Sequence, residues 1–464
     1  MPPVRIGYKK NDLAEVMRYP GNAGHIVTVA PTGSGKGRDV LIPALLDESM
    51  KEQSCLVVDP KGQLAAVTGP HAARSGKRVI LMNPFSIWPD CIGPGAERFK
   101  GIENVETLCD FNGSYNPLAT LDPASDAFVP DAEAFGQAIV YQELKTDHWI
   151  ESARDLVTGL ILYAAVHGEK MDKNLSWVRS TICNRPKLFE IAQLFFGDNP
   201  ALPDNDANEF IGQKLGRFGE PEAKDNKEIG SIISTAVTQT SFIGNRAISR
   251  NLAAGSFLFH QLRERPTILY LILPGRRLKT CSRWFRLIVG AALNELMDEQ
   301  KTRGLSCLLL LDEFAQLGPM KAIEDAFGIA RDYALTLWPV LQDLNQLQRD
   351  YEKSWETMLA NAGAVQFFRP QDNTTAEYIS KRTADIIVGR PKKSLNEDDM
   401  GRLSTSYSVD WKDKKYLEPW EVREIGTNEF LLFAAGVNGV HRGARRAYWE
   451  TPEFEGKFSP DPYH

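Results

Sequence analysis

The chain has 464 residues, more than one hydrophobic core ordinarily serves, so two or three domains are expected. With 43% hydrophobic and 25% charged residues the composition is globular, and apolar runs such as residues 160–166 and 307–311 fall well short of the roughly 18 residues that read as a membrane span. The net charge of -6 argues against a chain that coats nucleic acid indiscriminately, and six single cysteines without C-x-x-C or Cys/His spacing favour neither a disulfide framework nor a zinc site.

Residues 1–21 lack the apolar core and cleavage site of a signal peptide, so work in the cytoplasm is expected. From Gly24 onward, short β-branched runs alternate with amphipathic stretches, the pattern of a parallel sheet flanked by helices. "HIVTVA" (25–30), "SCLVVD" (54–59) and "KRVILMN" (77–83) are expected strands, and residues 37–50 are an expected helix interrupted by Pro43. Residues 124–255 carry helical spacing around the Pro/Asp/Asn-rich "FGDNPALPDNDANEF" and read as an all-α insertion. Strand patterns resume at 267–274, 306–313, 335–343 and 364–369, with a last strand at 428–436. Residues 391–419, rich in Lys, Asp and Ser, read as a loop or mobile arm. The expected organisation is therefore α/β, with a nucleotide-binding domain made of 1–123 and 256–464 and an all-α domain at 124–255.

"APTGSGKGRD" (30–39) joins an expected strand to an expected helix. Glycines in that context let backbone N–H groups converge on an anion at a helix N-terminus, so Thr32, Gly33, Ser34, Gly35, Lys36 and Gly37 are candidate phosphate-binding residues. A glycine-rich turn is the plainer alternative. Gly37 stands where a Ser or Thr hydroxyl ordinarily meets Mg²⁺, so Thr32, Ser34, water or groups elsewhere must help.

"LLLLDEFAQLG" (308–318) is a buried strand ending in two carboxylates. Asp312 is the expected magnesium ligand and Glu313 the expected base that activates water, against the alternative of a strand end that caps a helix. Gln342 closes the next apolar run and is placed to sense a γ-phosphate or orient water, unless it merely ends the strand. Arg331 is either a salt-bridged surface residue or an arginine finger reaching a neighbouring copy's nucleotide. Asp59 and Lys61 in "VVDPKGQ" close another strand, at the edge where open α/β sheets bind ligands. "GRRLKTCSRWFR" (275–286) and "HRGARR" (441–446) are the richest basic stretches, read as solvated or salt-bridged faces ahead of a DNA track.

Taken in order, "APTGSGKG", "VVDPKGQL", "RVILMNPF", "YNPL", "TILYLILP", "LLLDEFAQLG", "VLQDLNQLQRDY" and "FRPQDNTTAEYIS" resemble the cytoplasmic motor of type IV secretion coupling proteins of the TraG and TraD type, over residues 24–380. The resemblance implies a RecA-like P-loop NTPase domain interrupted by an all-α domain, with ATP and Mg²⁺ as cofactors. It implies a hexameric ring that delivers DNA, expected single-stranded, or effector proteins from a relaxosome to a secretion channel; without the membrane part, a monomer is expected in isolation. It places magnesium binding on Asp312, the base on Glu313, the glutamine sensor on Gln342 and a trans arginine on Arg331, and many TraG-type loops share the Lys-Gly pair. The usual two leading membrane helices have no counterpart in this sequence, so a trimmed or soluble version, peripheral to the inner membrane through the secretion apparatus, is expected. The alternatives are a nucleotide-gated docking scaffold with little hydrolysis and a DNA pump of the FtsK or HerA kind.

Overall fold

In the computed structural model, residues 2–20, 24–141, 148–197, 199–203, 205–298, 304–397 and 403–463 are described. Their strands are β1 (Val4–Lys9), β2 (Asp12–Tyr19), β3 (His25–Val29), β4 (Ser54–Val58), β5 (Arg78–Met82), β6 (Cys109–Asp110), β7 (Thr267–Leu271), β8 (Cys307–Leu311), β9 (Leu335–Leu341), β10 (Ala362–Phe368), β11 (Asp385–Glu397), β12 (Leu403–Lys415), β13 (Glu429–Ala434) and β14 (His441–Ala444). Twelve of them form one sheet in the order β2-β1-β14-β13-β10-β3-β9-β8-β4-β7-β5-β6. From β10 to β6 all neighbours are parallel, and the remaining pairs toward β2 are antiparallel.

The central strands are fully buried, which is why they read as continuous apolar runs. Their residues still sort by a period of two. Val27, Val29, Leu56 and Val58 join the core that contains the helices of 124–255, whereas Ile26, Cys55 and Val57 join the opposite core with Leu41 and Ala65.

The described residues of 124–255 form helices and turns without a strand, among them Phe128–Ile139, His148–His167, Asp206–Leu215 and Lys227–Gln239. Asn174, Asn184, Asn205, Asn226 and Asn245 each cap a following helix through a side-chain oxygen that accepts a backbone N–H. Each such cap stabilises by about 1 kcal/mol. Asn205, within the stretch read as Pro/Asp/Asn-rich, is thus a helix start. Residues 198 and 204 of its Pro/Asp/Asn-rich stretch lie outside the described residues.

The structure corrects several expectations. Residues 391–419 are not a structureless arm: β11 and β12 pair along their whole length from Asp385↔Lys415 to Glu397↔Leu403. The alternation Tyr407, Val409, Trp411 puts the large side chains on one face, and opposite charges meet across the ladder at Arg390↔Asp410. Residues 398–402 of that stretch lie outside the described residues. The first residues, given no strand from sequence, form the β1–β2 hairpin, and Gly7 (φ 147°) lies under Phe430, whose ring an added Cβ would meet at 2.5 Å. The expected helix over 37–50 is a π-turn, Gly37–Leu41, running directly into Ile42–Leu46, with Pro43 beside the change from π to α, and then a 3-10 turn, Glu48–Met50. No helix among the described residues is long and apolar enough to cross a membrane.

Candidate functional site

The C-terminal ends of β3, β8, β9 and β4 lie side by side in the sheet, so the segments that follow them converge on one edge. After β3 the chain turns through Gly33 (φ 75°) and Gly35 (φ 84°), left-handed conformations that other residues adopt at a cost. At Gly35 an added Cβ would also come within 2.7 Å of Asp39 Oδ2, whereas Gly33 faces open space. Asp39 is buried and anchors the loop from beneath, accepting from Arg445 Nη1 at 3.0 Å and from the Arg38 guanidinium. Arg445 Nη1 also donates to the Ser34 carbonyl at 2.5 Å, and its guanidinium lies 4.0 Å from the centre of the Phe368 ring. Burial lowers its pKa to about 10.

β8 delivers Asp312 and Glu313. Lys36 Nζ stands 2.9 Å from Asp312 Oδ1 and 2.9 Å from Glu313 Oε1. Gln342, just after β9, donates from Nε2 to Glu313 Oε2 at 3.0 Å. Glu313 adopts the left-handed conformation (φ 53°), which costs roughly 1 kcal/mol or more in a non-glycine residue. Its own N–H donates to Asp312 Oδ1 at 2.9 Å, and the two carboxylates converge on the Lys36 ammonium. Burial pushes the Glu313 carboxyl up, but the charge and hydrogen bond of Lys36 and the Gln342 amide outweigh it and hold the group below its usual range. Burial likewise works against the Lys36 ammonium, and the two carboxylates overcome it and raise its pKa.

Asp59, after β4, is buried at the same edge, and its Oδ2 accepts from Ala65 N at 2.8 Å. Burial, with the nearby Asp312 charge, pushes it up to about 7. Lys61 is exposed, and its carbonyl accepts from Trp88 Nε1 and Tyr463 Oη at 2.8 and 3.1 Å. Ser34 Oγ is buried without a hydrogen-bond partner among the described residues, and Thr32 lies exposed in the loop. An orphaned hydroxyl, two left-handed glycines and a lysine held by nearby carboxylates fit a phosphate-bearing ligand with a divalent cation.

Arg331 is not brought to this cluster. It follows the helix Lys321–Ile329 and precedes β9, at the opposite end of the strands; its side chain is 62% exposed and stands 4.0 Å from Asp332. The basic stretches also resolve in part into structure. Arg286 is buried, donates to the Leu317 and Pro319 carbonyls at 2.7 and 2.6 Å, and lies over the Tyr141 ring at 3.5 Å, so it fastens the turn that follows Glu313. Arg445 anchors the phosphate loop. Arg276, Arg277 and Lys279 remain exposed. Sequence reasoning passed over Gln63, Asp461 and Tyr463 at the loop's edge, since no local pattern marks a chain terminus that returns to a site some 400 residues earlier.

The family model described as Type IV secretory system Conjugative DNA transfer matches residues 6–94 and 104–460. The Escherichia coli conjugal transfer protein TraG is 22% identical over 93% of this chain and 68% of its own length. The Rhizobium radiobacter TraG is 23% identical over 92% of this chain and 62% of that protein, and Protein VirD4 of the same organism is 24% identical over 90% and 56%. The chain thus spans about two thirds or less of these relatives. Among solved structures, the bacterial conjugative coupling protein TrwBdeltaN70 superposes with a TM-score of 0.63 at 15% identity, covering 98% of this chain and 91% of that one. Plasmid coupling protein TrwB in complex with ADP and Mg2+ gives 0.59 at 15% identity, covering 92% and 86%. These likenesses support the RecA-like α/β fold expected from the sequence, and the extent of the family match shows that the chain belongs to the Type IV secretory system Conjugative DNA transfer family.

Proposed function

We propose that this chain is the ATP-hydrolysing motor of a type IV coupling protein, driving DNA or protein substrate toward a secretion channel. The observation that carries the reading is the cluster in which Lys36 bridges Asp312 and Glu313 while Gln342 holds the second oxygen of Glu313. Backbone N–H groups of 33–37 and the Lys36 ammonium would bind the phosphates, with Asp312 holding Mg²⁺. When bound, the metal neutralises charge on the phosphate oxygens.

The same cluster offers a built-in order of events. The charge and hydrogen bond of Lys36 hold down the basicity of Glu313. Once phosphate claims the ammonium, Glu313 loses its strongest charge partner and becomes a better proton acceptor. It can then take a proton from the water that attacks the terminal phosphorus, as the bond to the departing ADP oxygen breaks. Gln342, already on Glu313, is placed to orient that water. Arg331, exposed on the far edge, would serve such a site only from another copy, as the ring that the resemblance implies would allow. The expected cargo is single-stranded DNA, with relaxosome or effector proteins as partners and a position at the inner membrane through the secretion apparatus. The family matched, named for conjugative DNA transfer, supports this reading over the DNA-pump alternative.

The test is steady-state ATPase rate across protein concentration, with and without single-stranded DNA, in wild type and Glu313→Gln. Turnover should rise with concentration and DNA and fall by roughly 10²-fold or more in the variant, the scale of a lost general base. Nucleotide binding should persist in that variant. Tight binding without turnover under all conditions would overturn the motor reading and favour a nucleotide-gated scaffold.

A further inference from the structure

Gly37 leaves the loop without the hydroxyl that ordinarily meets magnesium, and the structure shows what occupies the neighbourhood instead. Among the described residues, an ideal Cβ built on Gly37 meets one atom within 4 Å, the Oε1 of Gln63 at 3.6 Å. Gln63 opens the helix Gln63–Arg74, directly after Asp59-Pro60-Lys61-Gly62. Its amide orientation is chemically assigned: Nε2 donates to Asp461 Oδ2 at 2.5 Å, and a carboxylate can accept only from the NH₂ side. The amide oxygen is therefore the end presented to position 37.

Asp461 is itself held in place. It is buried, and its second oxygen accepts from Tyr463 N at 2.9 Å. The Tyr463 ring stands edge-on to Trp88 with centroids 5.1 Å apart, and its hydroxyl donates to the Lys61 carbonyl at 3.1 Å. Residues 461–463 thus lie as a strap across the segment 61–63.

We propose that Gln63 Oε1 supplies the neutral oxygen, directed at the magnesium ion or at a water of its shell, that a Ser or Thr hydroxyl at position 37 would otherwise provide, with Asp461 as its positioning residue. Magnesium takes oxygen ligands in near-octahedral array and keeps several waters, so an amide carbonyl is an acceptable substitute that leaves the charge of the site unchanged. Glycine at 37 leaves room for the incoming amide. This inference rests on the nucleotide-site reading and deepens it.

The experiment titrates Mg²⁺ into protein with a fluorescent ADP analogue and repeats the titration with Mn²⁺ by electron paramagnetic resonance. Gln63→Ala should leave metal-free analogue affinity unchanged and raise the metal half-saturation by about tenfold or more, the scale of losing a metal-orienting group. Asp461→Ala should move the same quantity in the same direction by a smaller factor. Adding Gly37→Ser to Gln63→Ala should recover much of the loss, which a merely structural role for Gln63 would not produce. An unchanged half-saturation in Gln63→Ala, no recovery on adding Gly37→Ser, or an equal loss of metal-free affinity would overturn the inference while leaving the nucleotide site standing. A wild-type protein that binds no analogue with or without metal would overturn the nucleotide-site reading and this inference together.

Discussion

The two ends of the same parallel strands carry charge in opposite ways. At the C-terminal end, Lys36 is paired with both Asp312 and Glu313 and all three side chains are partly exposed, so each can exchange its partner for a ligand. At the N-terminal end, the buried Arg263 donates to the carbonyls of Leu305, Ala334, Leu296 and Tyr333, stitching together the chain entries to β8 and β9. His25 there accepts from Leu337 N through Nδ1 at 3.1 Å and packs edge-on to Phe327. The partners of Arg263 are backbone carbonyls fixed by the fold, whereas those of Lys36 are side chains that can turn to a ligand. The contrast separates ionised groups that support the fold from groups poised to act.

The largest expected effect that would break this contrast is on stability. Arg263→Ala leaves several carbonyls without their side-chain donor in the interior and should cost about 3 to 5 kcal/mol in urea unfolding, the scale of several buried acceptors left unsatisfied at about 1 to 3 kcal/mol each. Nucleotide affinity of the folded fraction should be unchanged. A loss of affinity without a loss of stability would show that the two edges are not separable in this way.

A smaller effect concerns pH, where the edges have opposite signs. Burial lowers the His25 pKa to about 4 from an ordinary 6.5, with the nearby Arg331 charge adding to the shift against backbone contacts that oppose it. The unfolded chain therefore binds that proton more readily, so stability from this site is full above pH 6.5 and is lost as pH falls toward 4. Asp59 has its pKa raised from 3.8 to about 7, so its contribution is full below pH 3.8 and is lost as pH rises toward 7. Each change is on the order of 3 kcal/mol, and in the wild type the two largely offset. Relative to wild type, Asp59→Asn should gain stability as pH rises from 4 to 7, and His25→Gln should lose it over the same range. Urea midpoints at pH 4.5, 5.5 and 7 check both; parallel pH profiles in all three proteins would contradict the assignment.

The sheet was readable in the sequence because its central strands are buried on both faces and appear as unbroken apolar runs, as in Cys307–Leu311. The phosphate loop was readable because left-handed backbone requires glycine at 33 and 35. The β11–β12 hairpin was not, since its strands carry Lys and Asp in cross-strand pairs that a linear reading takes for a solvated arm. Arg286 and Arg445 looked like surface charge for the same reason: their partners are carbonyls and an aspartate far away in sequence. Gln63 could not be read at all, because its place beside Gly37 depends on a terminal segment packing across the fold.

The most direct test of the account is equilibrium binding of a fluorescent ATP analogue to wild type and to Lys36→Ala. Lys36 is the group shared by both carboxylates and the one meant for phosphate, so the account predicts saturable binding in the wild type and a loss of roughly 100-fold or more in the variant, the scale of removing a charged partner from a desolvated site. Equal affinity in the two proteins would contradict the claim that this edge of the sheet is a nucleotide site.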